Sequence, residues 1–180
     1  MDTMTKFGAF ASSALVCLGV LFAPLSSAGE QPMSLRYAGV GYDTKIDGLI
    51  PDDQTVTLTT GTAAGTLGAA EIAITAEFRM LQDAADCPAG FPVKYALVYS
   101  ATVLTFKDQS QLFGFSTLGW LCANAGGGYV GEVQGIYQGG AGRFATATGD
   151  FVSKFNGAYL DPSIGFRSIR GTVEGTMGRH

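Results

Sequence analysis

Few residues of this chain could carry out acid–base or metal chemistry. The sequence contains one histidine, which is the last of its 180 residues. Ser-His-Asp and Cys-His catalysis need an imidazole beside the nucleophile, and histidine is the commonest metal ligand. Because chain ends are often poorly ordered, we expect neither a histidine-dependent hydrolase nor a histidine metal site. We also expect no cofactor and no bound metal.

Two arginines are the candidates for catalytic groups. Arg143 and Arg167 fall on strand faces that are otherwise apolar or small. An arginine inside a protein needs a carboxylate partner or an anionic ligand, so either could mark a site. The alternative is that both lie at strand ends, in solvent.

Aromatic side chains are the candidates for ligand contacts. The predicted ligand-binding residues are Tyr129, Tyr137, Phe78 and Phe151, which alternate along their segments with polar or small residues. Tyrosine hydroxyls can orient a bound molecule while the rings pack against it. Core packing explains the same pattern equally well.

The stretch GGAGRFATATGDF (139–151) contains the spacing G-x-G-x-x-A of a dinucleotide-binding fingerprint. That motif requires a helix immediately after the glycines, but the residues that follow alternate as a strand does. We interpret Gly139, Gly140 and Gly142 as a tight turn between two strands, and Gly149 as a bend in the second.

The rest of the sequence is typical of an all-β protein. Its 26 glycines separate segments rich in valine, isoleucine, threonine and aromatic residues, and no segment shows a clear helical period. The predicted strands lie near 33–42, 54–60, 70–82, 93–107, 111–122, 129–138, 143–155 and 164–177. Eight strands with short connections predict an eight-stranded antiparallel β-barrel, because closure removes the exposed sheet edges.

The segment 93–107 is apolar on both predicted faces. One face would carry Val93, Tyr95, Leu97, Tyr99 and Val103, and the other Ala96, Val98, Leu104 and Phe106. Either another element covers the outer face or the protein associates through it. We favour a homo-oligomer.

The first 28 residues have the pattern of a secretory signal peptide. An apolar run is followed by small residues before a predicted cleavage site after Ala28; the alternative is a retained membrane anchor. Residues 29–180 would then form one domain with no further membrane span, exported to the periplasm or the extracellular space.

The net charge of −4 and the absence of a basic stripe argue against nucleic acid as a partner.

The two cysteines of that domain, Cys87 and Cys122, are predicted to form a disulfide. An even number of cysteines in an exported chain favours pairing, although two free buried thiols would also fit.

The glycine-rich turn also resembles a known family. The pattern G-G-x-G-x-F-x-x-A-x-G is similar to the signature turn of allene oxide cyclase and dirigent-like β-barrels, above all of small exported bacterial members. It comprises Gly139, Gly140, Gly142, Arg143, Phe144, Ala147 and Gly149. Segments 61–68 and 171–175 fit the same type, so that the resemblance covers about 57–177. It implies an eight-stranded barrel, often trimeric, with an apolar lumen. The plant enzymes of the family steer a cyclisation or coupling of an apolar or phenolic intermediate, but none of their catalytic residues can be placed here.

Three functions therefore stay open. The first is an exported barrel that binds a small apolar or phenolic ligand in its lumen. The second is a cofactor-independent cyclase or isomerase, which would need an inward-facing ionisable group. The third is a structural or interaction protein with a filled core.

Overall fold

The computed structural model describes residues 29–44, 53–81 and 85–179. The predicted signal peptide lies outside the described residues. In the described part of the chain, no helix has the length and apolar character needed to cross a membrane.

Eight antiparallel strands form a closed barrel, which confirms the predicted fold class. The strands are β1 (Gln31–Thr44), β2 (Gln54–Gly65), β3 (Gly68–Leu81), β4 (Val93–Phe106), β5 (Gln111–Ala123), β6 (Gly128–Ala141), β7 (Ala147–Asp161) and β8 (Phe166–Arg179). Each strand pairs with the next along the chain, and β8 pairs with β1. The core is the barrel interior, where every second residue of a strand points inward.

Strand β6 shows how the sequence fills this interior. Tyr129 and Tyr137 are buried on its inner face, which also carries Gly131 and Gly135. A Cβ atom at either glycine would overlap an aromatic ring of the neighbouring β7. Glycine thus makes room for rings that fill the barrel, as close packing requires.

The strand boundaries depart from the sequence prediction at several strand ends, and most of all in β2 and β7. Strand β2 continues past residue 60 to Gly65, and its pairing with β3 is unbroken to that point. Strand β7 begins at Ala147 instead of residue 143, because a 3₁₀ turn over Gly142–Phe144 follows β6. Gly142 has φ 61°, a left-handed conformation that favours glycine.

The other glycines of this motif lie in strands. Gly139 and Gly140 belong to the end of β6, and Gly149 lies in β7. The tight turn itself begins at Gly142, one residue after β6 ends.

The predicted assignment of the β4 residues to two faces was wrong because of a β-bulge. Phe78 pairs with Leu97 and Glu77 with Tyr99, so that Val98 is an extra residue. The bulge shifts the alternation by one residue. Leu97 and Leu104 are therefore both buried, whereas Tyr99 points outward and is 42% exposed.

The predicted disulfide between Cys87 and Cys122 is confirmed. It ties the segment that precedes β4 to the end of β5. In the chain-entropy model, closure of such a loop stabilises the folded state by about 3–4 kcal/mol.

One end of the barrel is closed by aromatic packing. Phe144, carried in by the 3₁₀ turn, is fully buried, and its ring lies 4.9 Å from that of Phe106. The Arg143 guanidinium lies over both rings, at 4.6 and 4.8 Å from their centres. The glycine-rich motif therefore builds a plug at the end where β6 finishes.

Candidate functional site

A cavity of about 280 Å³ occupies the opposite end of the barrel, where β6 and β8 begin. We call it the Arg167 cavity. Its apolar walls include Phe78, Pro92, Val93, Leu121 and Ala123. Its main polar side chains are Asp43, Tyr95, Asn124, Tyr129, Tyr159 and Arg167.

An ion pair between β1 and β8 forms the polar side of this cavity. Gly41 pairs with Arg167, and Asp43 lies two residues further along β1, on the same inward face. Arg167 Nε is 3.0 Å from Asp43 Oδ1, and the two side chains are only 4% and 14% exposed. Neither of these two atoms makes an aligned hydrogen bond, so this buried pair is incompletely satisfied.

Tyr159 completes the environment of the carboxylate. Its hydroxyl donates a hydrogen bond to Asp43 Oδ2. Burial raises the pKa of Tyr159, and the hydrogen bond and negative charge of Asp43 raise it further. The phenol therefore stays protonated at neutral pH and acts as a donor.

Tyr129 supports the other partner of the ion pair. Its hydroxyl donates to the Ser168 carbonyl at 2.6 Å, and the Arg167 guanidinium lies 5.2 Å from its ring centre. Burial raises the pKa of Tyr129, while Arg167 opposes this shift. Gly157 faces Tyr129 across the β6–β7 pairing, and a Cβ there would overlap the hydroxyl.

Tyr95 is the polar group of the cavity best placed to meet a bound molecule. Its hydroxyl has no hydrogen-bond partner among the described residues, and its side chain is half-buried. Burial and the nearby charge of Asp43 raise its pKa. It can therefore donate one hydrogen bond and accept another at neutral pH.

A smaller inner chamber of about 60 Å³ lies deeper in the barrel. Thr57, Phe78 and Arg167 line both spaces. The residues with hydroxyl groups that line the inner chamber are Tyr37, Thr57, Thr59, Ser100, Thr102, Tyr137 and Ser153. Its volume corresponds to about two water molecules at the density of the liquid.

The two predicted arginines lie at opposite ends of the barrel. Arg167 lines the cavity, as an inward-facing charged group. Arg143 lies at the closed end, where its Nε is 3.6 Å from Asp108 Oδ2 and it donates to the Leu67 carbonyl at 3.1 Å. The position of Arg143 fits a structural role in the aromatic plug.

The four predicted ligand contacts also divide into two pairs. Phe78 and Tyr129 line the Arg167 cavity. Tyr137 and Phe151 lie against the inner chamber with their ring centres 4.7 Å apart, and both are buried. The second pair packs in the core and is too deep to contact a molecule held only in the larger cavity.

Sequence reasoning missed Asp43, Tyr95 and Tyr159. Asp43 follows the buried Leu35 and Tyr37 in steps of two, which would have placed it on the inner face of β1. Tyr159 follows Phe151 and Phe155 in the same way. Both residues lie beyond the predicted ends of their strands, so the alternation was not extended to them.

The chain matches no protein-family model, no curated protein and no solved structure. The resemblance to the allene oxide cyclase and dirigent-like barrels therefore stays an expectation.

Proposed function

We propose that this protein binds a small, mainly apolar molecule with one hydrogen-bonding group, such as a phenol, in the Arg167 cavity. The observation that carries the proposal is a space of about 280 Å³ with apolar walls and a few convergent polar groups at one end of the barrel. This combination is typical of small-molecule sites.

The dimensions limit the size of the ligand. The cavity is close to the lower end of the range of about 300–1,000 Å³ found for ligand sites. The inner chamber adds only about 60 Å³. A single ring with a short substituent suits this space, and the Tyr95 hydroxyl offers such a ligand a hydrogen bond.

The packing of the barrel centre supports a site at one end and argues against one that runs through the lumen. Tyr137 and Phe151 fill the centre, and Phe144 closes the far end. A purely structural protein would explain that filled half. It does not explain a cavity that contains a buried ion pair with incomplete hydrogen bonding.

A cofactor-independent cyclase or isomerase is the second candidate. It is favoured by the inward-facing Asp43, Arg167 and Tyr159, which form one connected group at the cavity wall. A fixed carboxylate, cation and phenol could stabilise charge that develops on a reactive intermediate. In this role Arg167 would be the catalytic arginine, and Arg143 is too remote.

Export and self-association belong to the same proposal. The disulfide supports an oxidising compartment, the periplasm or the extracellular space.

A homo-oligomer, with the trimer favoured by the family resemblance, is supported by apolar side chains on the outer surface. Tyr99 is 42% exposed and Leu118 is 66% exposed, and β5 contains no charged residue.

Filling the cavity tests the binding proposal. Leu121 of β5 is buried and lines the cavity. We expect Leu121→Trp to weaken the binding of small phenols, such as ethylphenol, by about tenfold or more, because the larger side chain occupies their space. Binding would be followed by NMR titration of the folded protein.

The matched control is Leu58→Trp in β2, whose side chain is 50% exposed and does not line the cavity. It should bind the phenols as the original protein does. Equal binding by both variants, or no binding of any phenol by the original protein, would contradict the proposal. Thermal melting of each variant separates lost binding from lost folding.

A further inference from the structure

We infer that Asp43 and Arg167 together make the Arg167 cavity selective for uncharged ligands. The inference rests on the proposed function, because it specifies the charge of the molecule that the same cavity accepts.

The charge of the cavity wall is balanced. Among the described residues that line it, Asp43 and Arg167 are the only ones with a formal charge. Their closest atoms are 3.0 Å apart and almost completely buried, so the positive charge of Arg167 is already compensated by the protein. The remaining polar groups are neutral hydroxyls and amides.

An anionic ligand would gain little in this environment. A carboxylate that approached Arg167 would also approach Asp43, and like charges brought together lose affinity. The Tyr159 hydroxyl already donates its one hydrogen bond to Asp43, so it cannot donate another to an incoming anion. The desolvation of the ligand charge would then be poorly offset.

A cationic ligand meets the opposite difficulty. The ring of Tyr129 and the carboxylate of Asp43 would suit a cation, but the Arg167 guanidinium occupies that position, 5.2 Å from the ring centre. The protein supplies its own cation. A ligand whose neutral hydroxyl or carbonyl group forms a hydrogen bond with Tyr95 avoids both penalties.

Three probes of similar shape and different charge test the inference. Benzyl alcohol, benzoate and benzylamine would be titrated into the folded protein at neutral pH by NMR. We expect the original protein to bind the alcohol at least about tenfold more tightly than either ion. Asp43→Asn should move the preference to benzoate, because it leaves Arg167 uncompensated. Arg167→Gln should move it to benzylamine.

The double variant Asp43→Asn/Arg167→Gln is the control. It removes both charges, so the preference for the alcohol should return. If one single variant fails to fold, the other single variant and the ranking in the original protein still decide the question. Tighter binding of either ion by the original protein, or single variants that keep its ranking, would overturn the inference. Failure of all three probes to bind any folded form would instead count against the proposed function.

Discussion

At the scale of single residues, the Asp43–Arg167 pair dominates the energetics of the site. Two buried charges that compensate each other can be nearly neutral for stability, but removal of one partner leaves the other uncompensated. The side chain of Arg167 is 4% exposed, so the surrounding water screens it little. Loss of Asp43 or of Arg167 should therefore destabilise the barrel more than loss of both.

We predict that Arg167→Leu lowers the free energy of unfolding by about 3–5 kcal/mol, the usual range for a broken buried ion pair. Urea denaturation would measure it. Arg170→Leu, on the same strand but exposed, should change the free energy by no more than about 0.5 kcal/mol. Asp43→Leu/Arg167→Leu should recover most of the loss, and equal effects of the two single arginine variants would contradict the buried pair.

At the scale of elements, the disulfide links the protein's stability to the cavity wall. Cys87 and Cys122 hold the segment that leads into β4, and Pro92, Val93 and Tyr95 from this region line the cavity. Cys122 is completely buried, so substitution is a cleaner probe than reduction.

We predict that Cys87→Ala/Cys122→Ala loses about 3–4 kcal/mol of unfolding free energy, from the greater entropy of the unfolded chain. The double variant should also weaken phenol binding, because the disulfide no longer holds the segment that forms part of the cavity wall. Denaturation with and without a reducing agent provides the check, since the reductant should destabilise only the original protein. Unchanged phenol affinity in the double variant would show that the disulfide is not needed to keep the cavity wall in place.

The same elements show what the sequence could reveal. The strands could be predicted from segments rich in β-branched and aromatic residues, which alternate with polar residues where a strand has one dry face. Their order follows from the short connections between them. The bulge at Val98 could not be predicted, since an extra residue resets the period without a distinctive residue type. Arg167 could be recognised as an anomaly on an apolar face. Its partner Asp43 was missed because it lies one residue past the predicted end of β1, so the alternation was not extended to it.

At the scale of the whole molecule, burial of tyrosines ties stability to alkaline pH. Burial raises the pKa of five of the seven tyrosines, Tyr37, Tyr95, Tyr129, Tyr137 and Tyr159. In the unfolded chain a phenol ionises near pH 10. Folding therefore opposes ionisation of these phenols. The stability that depends on their staying protonated is fully present below about pH 10 and is lost as the pH rises above it.

We predict that the free energy of unfolding falls progressively from about pH 10 towards pH 12, because burial raises the pKa of Tyr37 to about 12. Denaturation at several pH values would follow the loss, and ultraviolet absorbance would follow phenolate formation. Tyr137→Phe should reduce the pH dependence, because it removes one of the phenols whose pKa burial raises. Full phenolate formation in the folded protein near pH 10 would contradict this account.

The most direct test of the central claim is native mass spectrometry of the folded protein, purified from its producing cells without denaturation. We predict a bound neutral molecule of about one ring in size, which is displaced by added ethylphenol and absent from Leu121→Trp. A molecule that is retained by Leu121→Trp, or a carboxylate or amine bound in place of a neutral ligand, would contradict it.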